Sequence, residues 1–134
     1  MIIYNHCNVK VDHLAKHKAL IVHWMGYTSD EVYMAAIDKI IELMVKHDID
    51  KTLHDVSRHK GISPASQEYA ARKSIAFNKR YWDVKRAIVL PKNHDIFSSF
   101  AVKNFAKRVK QEKNQHREFF ETIGQARAWL LKDE

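Results

Sequence analysis

Apolar residues recur along the chain with two periods, and the switches between them mark out its elements. Tyr4 to Val11 mixes polar and apolar residues, and Lys18-Ala-Leu-Ile-Val-His-Trp-Met25 is a compact run rich in strand formers. With residues 12 to 17 turning between them, a leading antiparallel pair is expected. Within the second run His23 alternates with Ile21 and Met25, opposite Leu20, Val22 and Trp24. After Gly26, Thr28-Ser-Asp-Glu31 has capping-box spacing, with Thr28 as the expected cap. Val32, Ala36, Ile40, Leu43 and Met44 then repeat at helical spacing, with Ile37 and Ile41 widening the stripe, which predicts a helix over about 30 to 47.

Lys51 to Ser57 predicts a short strand. Gly61-Ile-Ser63-Pro64 places a serine at an N-cap and a proline at the first helical position, where its missing N–H costs nothing, so a second helix is expected over about 64 to 80. Arg86-Ala-Ile-Val-Leu-Pro91 reads as an inner strand stopped by proline. Asp95 can cap a third helix, to about 113, with Phe97, Phe100, Ala101, Phe105 and Val109 on one face. Glu118 to Glu121 predicts a last strand, and Thr122-Ile-Gly-Gln125 repeats the capping spacing before Ala126-Arg-Ala-Trp-Leu-Leu.

This order predicts one α/β domain over residues 1–134: a mixed, mostly parallel sheet of 4–5 strands with a leading antiparallel pair, flanked by about four helices. Leu20, Val22, Trp24, Ile40, Leu43, Ile88, Phe105 and Leu130 are expected to share one core.

Composition narrows the class. The charged share of 29% and apolar share of 46% are those of a globular domain, and three Gly and two Pro leave no room for a linker or low-complexity tract. The first residues lack a basic stretch followed by a long apolar run, no segment approaches a bilayer span, and a lone Cys7 fits a reducing compartment; a cytoplasmic location is expected. The net charge of +7 is concentrated: residues 72–117 carry 13 Lys/Arg against 3 Asp/Glu. Lys103, Lys107 and Lys110, with Arg108 beside them, form a basic stripe on the helix from Asp95. A solvated face is the ordinary explanation, and an acidic partner, an anionic membrane surface or nucleic acid the functional one.

Several features resemble the SpoIIAA-like proteins of the STAS superfamily, small bacterial domains: His23-Trp24-Met-Gly26 with Thr28-Ser-Asp-Glu31, Leu53-His-Asp55-Val-Ser57, Lys85-Arg-Ala-Ile-Val-Leu-Pro91, and Phe119-Phe120 with Ala126-Arg-Ala-Trp129-Leu130. The resemblance implies a binding or regulatory module that recognises a protein partner or a small anionic or lipidic ligand, and it implies no catalytic residue, cofactor or metal. In the antagonist branch a Ser or Thr at a helix start, after a strand ending Asp-x-Ser, is phosphorylated by a partner kinase. This chain keeps Asp55-Val56-Ser57, but Pro64-Ala65 follows Ser63 where the switch carries Ser or Thr and Gly.

In open α/β sheets ligands bind outside the carboxyl ends of the strands. Asp55, Ser57 and Ser63 stand at such ends, and Trp24, otherwise a core aromatic, stands at another; these four form the expected ligand set, with an anion near Ser57, Ser63 and the first turn after Pro64. Asp55, Ser57, His54, His59 and Ser63 also permit a hydrolase site, without a G-x-S-x-G elbow to support it. The competing function from another class is a nucleic-acid-associated or acidic-surface-binding protein using the basic helices of residues 72–117. A homodimer is compatible with either.

Overall fold

Cys7 and Asn8 both take positive φ, 44° and 69°, as a two-residue hairpin turn of the I′ kind requires. They join β1 (Ile2–His6) to β2 (Val9–Leu14), so the strand expected over 4 to 11 is instead a hairpin. Only Asn8 is a usual turn former, which is why the reversal left little trace in the sequence. The turn expected at 12 to 17 shrinks to a 3-10 turn, Ala15–His17, because Asp12 and His13 remain paired with Ile21 and Leu20 of β3 (Ala19–Gly26).

The computed structural model describes residues 1–91 and 116–132. After β3 come α1 (Asp30–Lys46), β4 (Lys51–His59), α2 (Pro64–Arg80), β5 (Lys85–Val89), β6 (His116–Phe120) and α3 (Ile123–Leu131). Among the described residues the sheet has six strands in the order β1-β2-β3-β4-β5-β6, antiparallel across the first three and parallel from β3 onward. The mixed α/β architecture is the expected one, with the extra strand supplied by the hairpin. The helix expected from Asp95 lies outside the described residues.

Helix starts follow the local chemistry. Ser29, not Thr28, caps α1 by accepting from the Val32 N–H. Thr28 is engaged elsewhere: its hydroxyl shares a buried 3.0 Å hydrogen bond with His59 Nε2. Ser63 caps α2 by accepting from Ser66 N, and Thr122 caps α3 by accepting from Gln125 N. The Asp30 carboxylate, at the start of α1, also accepts from both Ser63 and Ser66 hydroxyls and so ties the two helix starts together. Ser63→Ala removes the cap and one tie; it should cost about 1 kcal/mol in urea denaturation, and an unchanged midpoint would show that the cap is not used.

The apolar residues divide into two layers rather than one. Leu20, Val22, Trp24, Ile40 and Leu43 pack with Tyr33, Met44 and Phe77 between the sheet and α1 with α2. Leu130 joins Ile21, Leu53, Ala87, Val89 and Ala126 on the opposite face, under α3. The expectation of a single core fails because alternation along β3 sends Leu20 and Ile21 to opposite faces, and both faces are covered. Ile88 is buried on the α1/α2 side, and Phe105 lies outside the described residues.

Candidate functional site

The two-residue period of the inner strands sets a row of polar groups beneath α1 and α2. On β4, Thr52, His54 and Val56 face these helices; on β5 Arg86 and Ile88 do so, and on β6 Arg117. Tyr33, Ile37, Ile40, Ile41 and Met44 of α1 and Ala70, Lys73 and Ser74 of α2 cover them. Between the layers remains a cavity of about 90 Å³.

Its polar lining is buried. Trp24 donates its indole N–H to His54 Nδ1 at 3.2 Å, which assigns the imidazole hydrogen to Nε2. Burial, and then the charges of Arg86 and Arg117, push His54 down to about 3, so it is neutral at physiological pH. Arg86 is 6% exposed and donates to Asn78 Oδ1 at 3.2 Å. Burial lowers its pKa to about 9, with Arg117 adding to the effect and Asp83 opposing it. Arg117 is 5% exposed, and burial lowers it to about 10 against the opposing influence of Tyr33. Both guanidiniums remain cationic at neutral pH. The Tyr33 phenol is raised by its own burial and stays protonated. The hydroxyls of Thr52 and Ser74 are buried and have no hydrogen-bond partner among the described residues. Lys73 stands at the rim, 3.4 Å from Asp38 of α1.

A second, more open depression of about 530 Å³ lies at the carboxyl ends of the strands, lined by His23, Met25, Asp55, Ser57, Arg58, Glu121 and Thr122. The Asp55 carboxylate organises it: Oδ1 accepts from the Ser57 N–H at 3.1 Å and hydroxyl at 2.6 Å, while Oδ2 lies 3.4 Å from His23 Nδ1. The carboxylate thus stands between serine and histidine. A hydrolytic triad needs the histidine in the middle, where it can take the serine proton.

Of the expected ligand set, Asp55 and Ser57 meet in this depression, and Trp24 borders both it and the cavity. Ser63 stands apart, bonded to Asp30 and Ser66. That carboxylate already occupies the start of α2, which disfavours the anion expected there. The residues that permitted a hydrolase are also separated: His54 faces the cavity, Asp55 the opposite side of the sheet, and His59 pairs with Thr28. Lys103, Lys107, Arg108 and Lys110 lie outside the described residues. Sequence reasoning missed Thr52, Ser74, Arg86 and Arg117, and named His54 only in the hydrolase set. An inward-alternating signal was available at Arg86, two residues before Ile88, and at His54, between Thr52 and Val56.

No described helix is long and apolar enough to cross a membrane. No family model and no curated protein matches the chain. Among solved structures, it is similar to the crystal structure of an uncharacterized protein of the DUF3478 family, with a SpoIIAA-like fold, from Shewanella loihica PV-4. The two share 15% identity with a TM-score of 0.59, over 96% of this chain and 98% of that one. With its leading antiparallel strands, parallel inner sheet and helices on both faces, this chain has the SpoIIAA-like fold.

Proposed function

We propose that the chain is a non-enzymatic, STAS-like binding module that holds a small molecule in the cavity under α1 and α2. The observation that supports this reading is a pair of buried hydroxyls on one void, those of Thr52 and Ser74, that have no hydrogen-bond partner among the described residues. A buried hydroxyl without a partner costs about 1–3 kcal/mol, and two such groups lining one space fit a site completed by a guest. Ligand pockets commonly combine an apolar wall with a few convergent polar groups. An exposed, unbridged Cys7 fits a reducing compartment, and a cytoplasmic location goes with the proposal.

The strand-end depression is the other place for a partner, supported by the ordered Asp55–Ser57 network and by exposed Met25 and Ile123 on its rim. The basic-helix alternative, binding nucleic acid or an acidic surface, has Arg72, Lys79 and Arg80 exposed on α2, while its stripe of Lys103, Lys107, Arg108 and Lys110 lies outside the described residues.

Native mass spectrometry of freshly purified protein separates these sites. Ser74→Leu, which fills the cavity from α2, should remove a co-purified small molecule that Asp55→Ala leaves in place. Loss with Asp55→Ala and retention with a folded Ser74→Leu would move the ligand to the strand ends and refute the cavity.

A further inference from the structure

Resting on the cavity reading, we infer that the ligand is a small uncharged oxygen compound, a short-chain alcohol or ketone: its oxygen meets the Thr52 and Ser74 hydroxyls, and its chain lies against the apolar wall.

The two hydroxyls set the head. Thr52 is 1% and Ser74 8% exposed, and neither oxygen has a hydrogen-bond partner among the described residues. They come from different walls, β4 in the sheet and α2 above it, and both line the same void. A hydroxyl has one hydrogen to give and lone pairs that accept. A guest alcohol matches either role, and a ketone oxygen accepts from either group. In low-dielectric surroundings such a bond is stronger than in water, and its absence costs more.

Charge in the lining argues for a neutral guest. Lys73 is paired with Asp38 at 3.4 Å, Arg86 donates to Asn78 Oδ1 at 3.2 Å and to the Val84 carbonyl at 3.5 Å, and Arg117 has a partner too. An anion would have to draw one of these groups from the partner it holds. A cation would enter a lining whose described residues include no Asp or Glu, and a buried charge without a counter-charge is costly. A neutral guest requires neither change.

The remaining wall sets the body. Ile37, Ile40, Met44, Val56 and Ile88 offer only apolar contact. An engineered apolar cavity of about 150 Å³ admits benzene, with its six carbon atoms. On that scale a cavity of about 90 Å³ admits roughly four or five heavy atoms. Butanol and butanone have that size.

Titration of the isotope-labelled full chain with butanol, butanone, butyrate, butylammonium and chlorobutane, read from its amide NMR shifts, tests the assignment. At least one of butanol and butanone should bind and shift the amides of Thr52, Ser74 and their neighbours. Butyrate and butylammonium should bind about tenfold more weakly or not at all, the handicap of a buried charge. Either ion binding as tightly as both neutral oxygen compounds, or chlorobutane alone binding, would overturn the assignment and leave the cavity reading intact. No shift of these amides with any of the five would overturn both. Thr52→Val, nearly the same shape without the hydroxyl, and Ser74→Ala should each weaken the better oxygen compound about fivefold, the worth of one net hydrogen bond, with chlorobutane unchanged. Unchanged affinity in both variants would refute the site. Without ligand, Thr52→Val should be at least as stable to urea as the parent, because the hydroxyl it removes has no partner to lose. A lower urea midpoint would show that Thr52 is already satisfied in the free protein and would overturn the proposal.

Discussion

Truncating Leu53 to Ala should lower the free energy of unfolding by about 2–5 kcal/mol, as much as the same change at Leu20 on the other face of the sheet. Both leucines are fully buried, but they belong to separate layers. Leu20 packs beneath α1 and α2. Leu53 packs against Ile21, Val89, Ala126 and Leu130 under α3, with Trp129 and Phe120 closing the margin. The α3 layer is small, and α3 has only nine residues, too few to be stable without packing. Its stability must come from burying Ala126 and Leu130 on the sheet. Lys85 assists by donating to the Trp129 carbonyl at 2.7 Å and lying over the Trp129 ring. Removing Leu53 leaves a cavity beneath that helix. Equilibrium denaturation of the two variants measures the comparison; a loss below about 1 kcal/mol for Leu53→Ala, with Leu20→Ala in the expected range, would show that the α3 layer contributes little and that the sheet depends on one face.

Legibility in the sequence followed how local each determinant is. The helices at 30 to 46 and 64 to 80 announced themselves through 3.6-residue spacing and through Ser63-Pro64, because caps and periodicity depend on near neighbours. The β1–β2 hairpin did not, since Cys7 takes a left-handed conformation that its residue type does not favour. Asp55 and Ser57 were identifiable because they bond to each other two residues apart. The cavity was not legible for the opposite reason: Thr52 and His54 come from β4, Arg86 from β5, Arg117 from β6 and Ser74 from α2, and only the parallel registers bring them together. Arg86 was counted with the basic surface charge of residues 72–117, although its register beside Thr52 places it inside. Formal charge along a sequence does not distinguish a solvated guanidinium from a buried one.

Acidification should destabilise the fold well above the carboxylate range, with His54 as a principal cause. Its imidazole sits beneath Trp24, with Tyr33 of α1, Lys73 of α2, Arg86 of β5, Arg117 of β6 and the neutral-favouring His59 lining the same cavity. No carboxylate stands among those described residues to stabilise an imidazolium. Folding holds the group at about 3, against 6.5 when exposed. Between those values the unfolded chain binds a proton that the folded chain does not, so stability rises with pH and is lost as pH falls below 6.5. The loss from this residue should reach about 2 kcal/mol at pH 5, taking about 1.4 kcal/mol for each unit of displacement below the unfolded pKa. His54→Gln keeps an acceptor for the Trp24 indole and removes the titration. Its unfolding free energy should therefore decline less between pH 7 and pH 5 than that of the parent, by the same amount, whatever its absolute stability. All other groups are common to both proteins and cancel in the comparison. Urea denaturation at a series of pH values reads the two slopes, and parallel curves would mean that His54 is already protonated in the folded chain, with a counter-charge beside it.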